Sequence, residues 1–224
     1  APLPAVFGFG AGADLKDSNA VMINAGQGGL TMQGKEYYTK EDVKSVETRA
    51  KFVEYMTNMF KLLGDTPEAA AAHAAKVLEM QTRLAKASLA QTEMRNPDTR
   101  YNKITMAAAQ ELTPNLSWAA YMAARGVTPE ANINLAQPNF FKEVNTMLTD
   151  VPVEDWKVYF RWMTINSTAS ALPKAFADEN FNFFGKYLSG QKERQPRWKT
   201  CTQAVDGALG EAFGMEYAKI AVKP

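Results

Sequence analysis

Residues 39–60, TKEDVKSVETRAKFVEYMTNMF, set the fold class of the chain. Val43, Val46, Ala50, Val53, Met56 and Phe60 recur at steps of three or four, the period that brings side chains onto one stripe of an α-helix. Thr39 and Asp42 form a variant of the N-terminal capping box, in which short polar side chains satisfy the first orphan N–H groups. The spacing predicts a helix of about six turns ending near Gly64. Asp65-Thr66-Pro67-Glu68 supplies the next start, with a cap, a proline in the first turn and an acid at the positive end of the helix dipole. An alanine-rich helix is expected from there towards Met94. Pro97 stops it, because proline removes a donor and disfavours helical geometry at Asn96.

Downstream, helix starts are read at Thr105, at Ser117 before Trp118, and at Thr128-Pro129-Glu130. Further helices are expected over Asn139–Leu148, Val153–Ala171 and Val205–Val222. Upstream the pattern changes. Val6–Gly10 and Ala20–Asn24 are short β-prone runs on either side of the polar stretch Asp14–Asn19, which predicts one β-hairpin. Strand–helix alternation, the mark of a parallel sheet, is missing. The expected fold is mainly α, a multi-helical lobe with one N-terminal β-hairpin. Residues 1–38 form the hairpin and its connection, and residues 39–224 one continuous helical lobe.

Composition narrows the function. The 25 Lys and Arg nearly cancel the 24 Asp and Glu, with no basic block longer than two residues, so the electrostatic footprint of a nucleic-acid binder is missing. No apolar run approaches the roughly 18 residues of a membrane span, and the first residues lack the basic and apolar regions of a signal peptide. No direct membrane contact is expected. The chain opens on Ala1-Pro2-Leu3-Pro4 without an initiator methionine, which suggests a processed or excised segment.

Few residues promise chemistry. His73 is the only histidine, and its neighbours at helical spacing are Ala69, Ala70, Lys76 and Val77, so no metal-ligand cluster exists in sequence. Cys201 has three readings: nucleophile, disulfide partner, or small buried hydrophobe. A thiol-protease arrangement has little support with one histidine 128 positions away. Glu47, Glu54, Glu41 and Asp42 read as solvated carboxylates of a helix start and outer face. Trp156, Tyr159, Phe160 and Trp162 read either as the lining of an oligopeptide groove or as core. Gly8, Gly10 and Gly12, and Gly26, Gly28 and Gly29, lack the spacing of a dinucleotide fingerprint or a P-loop. Asn115-Leu116-Ser117 and Asn166-Ser167-Thr168 match the N-glycosylation pattern, a match common by chance.

A set of motifs in fixed order says more. Phe7-Gly8-Phe9, Asp14-Leu15-Lys16-Asp17-Ser18, Gly28-Gly29-Leu30, Glu36-Tyr37-Tyr38, Arg95-Asn96-Pro97, Tyr101-Asn102-Lys103, Leu116-Ser117-Trp118 and Arg197-Trp198-Lys199-Thr200-Cys201 follow one another along the chain. With Gly210–Tyr217, they make it resemble the neprilysin and endothelin-converting-enzyme family of zinc metallopeptidases, including its bacterial oligopeptidase branch. Met32 and Gln33 depart from the family's Leu-Pro.

The resemblance covers nearly the whole chain but only the non-catalytic N-terminal region. It implies a two-lobed enzyme in which a mostly helical lobe covers a thermolysin-like lobe and encloses a cavity that admits peptides and excludes folded proteins. The family's zinc is held by two histidines of a His-Glu-x-x-His helix and a glutamate, and none of these is present. No catalytic or metal residue is therefore carried over, and zinc is expected in the parent enzyme and not in this chain. The resemblance also implies that Cys201 forms a disulfide to a cysteine upstream of this region. The implied partners are the catalytic lobe and peptide substrates, and the implied setting is periplasmic, secreted or membrane-anchored extracytoplasmic. A stand-alone helical binding or scaffold module is the competing expectation.

Overall fold

The computed structural model describes residues 6–128 and 130–221. The chain divides into two compact units, residues 1–180 and 181–224. Among the described residues no helix is long and apolar enough to cross a membrane.

The first unit opens with the hairpin. Strands β1 (Phe7–Asp14) and β2 (Asp17–Gln27) pair antiparallel from Phe7 opposite Gln27 to Ala13 opposite Val21, and the register slips at Asp14, which faces Asp17. The strands run through most of the stretch expected as a connection, leaving only Leu15-Lys16 as the turn. The Lys16 N–H donates to Asp14 Oδ1 at 2.9 Å, an Asx-type turn that replaces the lost ladder bond.

Two short strands join the hairpin: β3 (Lys103–Thr105) and β4 (Asn132–Leu135). The sheet order is β1-β2-β4-β3, with β4 parallel to β2 and antiparallel to β3. A helix does not follow Thr128-Pro129-Glu130; β4 does, because Ile133 and Leu135 are wholly buried and pairing with both neighbours satisfies their backbone. Pro129 lies outside the described residues. One face of the sheet packs Phe7 against Trp118 and Phe141, with ring centroids 5.8 and 5.2 Å away.

The helices are α1 (Glu36–Thr39), α2 (Val43–Leu62), α3 (Pro67–Ala87), α4 (Met106–Leu112), α5 (Trp118–Ala124), α6 (Pro138–Asp150), α7 (Val153–Thr168) and α8 (Lys174–Asn180). Thr66, Thr105 and Ser117 cap α3, α4 and α5, each accepting a backbone N–H three residues on. Asp42, and not Thr39, caps α2 by accepting the Ser45 N–H, while the Thr39 hydroxyl donates to the Lys35 carbonyl.

Two expectations for α2 and α3 need correction. The buried face of α2 is Thr48, Phe52, Tyr55, Met56, Met59 and Phe60, whereas Val43, Val46 and Ala50 of the expected stripe are exposed. Burial goes to the larger side chains: Phe52, Tyr55 and Phe60 converge on Trp162 of α7 with centroids 5.4–6.0 Å apart. Helix α3 stops at Ala87 and does not reach Met94. There the Leu89 N–H donates to Gln27 Oε1 at 2.7 Å and Gln27 Nε2 donates back to the Leu89 carbonyl, which draws the chain onto β2. Short 3₁₀ turns at Glu93–Arg95 and Pro97–Arg100 follow.

In the second unit, Phe181–Leu188 winds as a π-helix and Arg197–Ala221 forms α9. The wide turn brings the Phe181 ring over Gly185, where an added Cβ would force the ring to shift. Helix α9 begins eight residues before the expected Val205, and Val222 lies outside the described residues.

Candidate functional site

The motifs that were separate in sequence meet around the hairpin. Asp14, buried at the end of β1, accepts from Lys103 Nζ at 2.8 Å and from the Tyr101 hydroxyl at 3.4 Å, and Lys16 Nζ lies 4.6 Å above the Tyr101 ring. Its bond to Lys103, followed by that to the Lys16 N–H, holds the carboxyl down at about 2. Next to this clasp, Asn134 Nδ2 donates to Asn24 Oδ1 and to the Arg100 carbonyl, and its Oδ1 accepts the Asn102 N–H at 2.7 Å. Gln137 Oε1 accepts the Gln27 N–H at 2.8 Å. Asp14, Lys16, Tyr101, Asn102 and Lys103 thus act as one fastening between the hairpin and the segment before β3.

The aromatic run of α7 divides. Tyr159 and Trp162 are core: the Tyr159 hydroxyl donates to the Gly29 carbonyl at 2.7 Å, and Trp162 Nε1 donates to Thr31 Oγ1 at 2.8 Å. Thr31 is in turn held by Gln81, whose Oε1 also accepts the Tyr38 hydroxyl at 2.8 Å. Burial pushes the Tyr38 and Tyr159 hydroxyls far above their ordinary range, so both stay protonated donors. Phe160, on the opposite face, is exposed. With Leu63, Arg161, Ile165, Thr168 and Leu172 it lines an open apolar cleft of about 450 Å³.

Arg161 at this cleft belongs to a cluster that sequence spacing did not reveal. Asp65 receives both Arg161 Nη1 at 2.9 Å and Nη2 at 2.8 Å, and its Oδ2 lies 2.9 Å from His73 Nδ1. The Arg161 fork, chiefly, lowers the Asp65 carboxyl. His73 also rests against the Phe60 ring. Asp65 and Arg161 are 96 positions apart, and no local pattern announces their meeting. Among the described residues no three His, Cys, Asp or Glu side chains gather closely enough to hold a metal ion.

The remaining candidates are surface groups. Glu41 bonds Arg49, Glu54 bonds Lys51, Asp42 is a helix cap, and Glu47 is exposed. Asn115 is exposed and donates to the Asn145 carbonyl, whereas Asn166 is half-buried within α7 and accepts from the Tyr55 hydroxyl.

Helix α9 is unlike every other long helix. None of its 25 residues is buried, and Trp198 (70% exposed), Val205, Leu209, Phe213, Met215, Tyr217 and Ile220 (85%) stand in solvent. Trp198, Cys201 and Val205 share one face at i, i+3, i+7, so the exposed Cys201 lies within an apolar stripe.

The family model for peptidase family M13 matches residues 2–224. The chain belongs to peptidase family M13. It is 27% identical over 214 residues to endothelin-converting enzyme 1 of Rattus norvegicus, covering 92% of this chain and 28% of that protein. The zinc metalloprotease Zmp1 of Mycobacterium tuberculosis, in complex with inhibitor, superposes with a TM-score of 0.92 at 27% identity, over 98% of this chain and 34% of that one. PepO of Lactobacillus rhamnosis HN001, at 17% identity and a TM-score of 0.85, covers 98% of this chain and 35% of that one, and shares the fold. This M13 chain spans about a third or less of the length of these relatives, and the part it represents is the family's N-terminal domain.

Proposed function

We propose that this M13 domain is the non-catalytic helical lobe of a zinc-dependent metalloendopeptidase that hydrolyses oligopeptides, covering the active-site cavity and limiting the size of the substrates that enter. The observation that carries the reading is α9: a family N-terminal domain presenting a helix of 25 residues with no buried side chain needs a surface to lie on. Covering such apolar side chains is worth about 1.5–3 kcal/mol each. The rest of the enzyme is the partner that supplies this surface, and the apolar cleft beside Phe160 would form part of the cavity wall. A wall of this kind acts by excluding water and by orienting a peptide. No hydrolytic step is assigned to residues of this chain.

Cys201, exposed on α9, would pair with a cysteine upstream of this region, a pairing consistent with an oxidising, extracytoplasmic setting for the parent enzyme. The test of the size limit is kcat/KM of the intact enzyme on a length series running from short peptides to a folded protein. A steep fall with length supports the lobe as a size filter. Equal turnover of short peptides and folded proteins would refute it.

A further inference from the structure

Helix α9 is continuous in sequence but not in backbone. Leu209 has φ −129° and ψ 20°, outside helical values, and the helix resumes beyond it. Sharp breaks in helices trace to proline, to paired small residues or to inserted groups. No proline lies between Arg197 and Ala221, and Gly207 and Gly210 bracket Leu209 within one turn. A methyl group at Gly207 would touch nothing, and at Gly210 only Asp206 Oδ1 at 3.8 Å, so packing does not require either glycine. Leu209 is itself 60% exposed, and no burial of its side chain holds the break in place. The break also separates two apolar stripes, Trp198-Cys201-Val205 before it and Phe213-Tyr217-Ile220 after it.

From these features we infer that Gly207–Gly210 is a joint, about which residues 197–208 and 210–221 swing as two short rods. Each glycine weakens a helix relative to alanine, so two of them within one turn lower the cost of leaving helical geometry at Leu209. Each rod keeps its own stripe seated while the bodies under the two stripes move, which is what opening and closing of a cavity requires. The inference rests on the reading of this chain as a lobe of a larger peptidase.

The test uses the full-length enzyme with spin labels at Thr202 and Ala218, attached through unnatural residues so that Cys201 is untouched. A straight helix places these positions about 24 Å apart. The wild type is expected to show a shorter-distance population that shifts when an uncleavable peptide saturates the enzyme. Gly207→Ala with Gly210→Ala should collapse it to one peak near about 24 Å and slow turnover of peptides roughly threefold or more. Gly214→Ala, in the same helix but outside the break, should change neither. One narrow distribution shared by wild type and double variant would overturn the joint, and so would wild-type turnover by the double variant or an equal effect of Gly214→Ala. A failed size filter would appear in the peptide length series and leave the label distances unaffected, so the two failures are separable.

Discussion

Helices α3 and α9 have nearly the same length, 21 and 25 residues, and both are rich in alanine, yet they solve opposite problems. On α3, Ala70, Ala74, Val77, Met80, Gln81, Leu84 and Ala85 are all buried. On α9 nothing is, although its apolar side chains are larger. Isolated helices are marginal in water, and most helical stability in proteins comes from covering an apolar face. The contrast separates a helix whose apolar face is covered from one whose apolar side chains are exposed.

Truncation should break this symmetry most. Leu84→Ala leaves a cavity in a fully buried site and is expected to lower stability by about 3 kcal/mol, read from urea unfolding of this chain. Gly29→Ala comes next. Gly29 has φ +74°, and an added Cβ would sit 2.5 Å from the Tyr159 hydroxyl and 2.7 Å from the Val6 carbonyl, so a loss of about 2–3 kcal/mol is expected in the same assay. Removing the Ser117 cap by Ser117→Ala should cost about 1 kcal/mol. In contrast, Phe213→Ala and Ile220→Ala should each stay within about 0.5 kcal/mol in this chain alone, since both side chains already face water. A cost like that of Leu84→Ala would show that α9 is covered after all, and the comparison would fall.

The clasp at the hairpin makes a pH prediction. The Asp14 carboxyl is lowered from 3.8 to about 2 in the fold, so its stabilisation is fully present above about pH 4 and is lost as pH falls towards about 2. Unfolding midpoints of Asp14→Asn should accordingly vary less than wild type over that window. An unchanged acid slope would mean that Lys103 does not hold this carboxylate in solution.

What was legible in the sequence was local. Thr66, Thr105 and Ser117 announce helix starts because a cap acts on an N–H only three residues away. The hairpin was legible for a similar reason, as two β-prone runs around a polar turn. The family was legible too, because each of its motifs is a short run of neighbouring residues and their order along the chain needs no folding to be seen. The stripe Val43, Val46 and Ala50 misled, because periodicity tells that a face is apolar and not whether anything covers it. Strands β3 and β4 span three and four residues, too few for a period to register. Of the candidate surface, Phe160 and Cys201 were visible as residue types, but the pairing of Asp65 with Arg161 across 96 positions was not.

By itself the sequence determined the starts of α3, α4 and α5 with their caps, the hairpin, the family, and a single histidine where a zinc site of that family needs two. These depend on steric and hydrogen-bonding rules that act within a turn or two of the chain. Tertiary structure alone decided which face of α2 is buried, that α3 ends at Ala87 where Gln27 captures Leu89, that β4 joins the hairpin to β3, and that α9 stays bare. Burial and long-range pairing are properties of two surfaces meeting, and a single stretch of chain specifies only one of them.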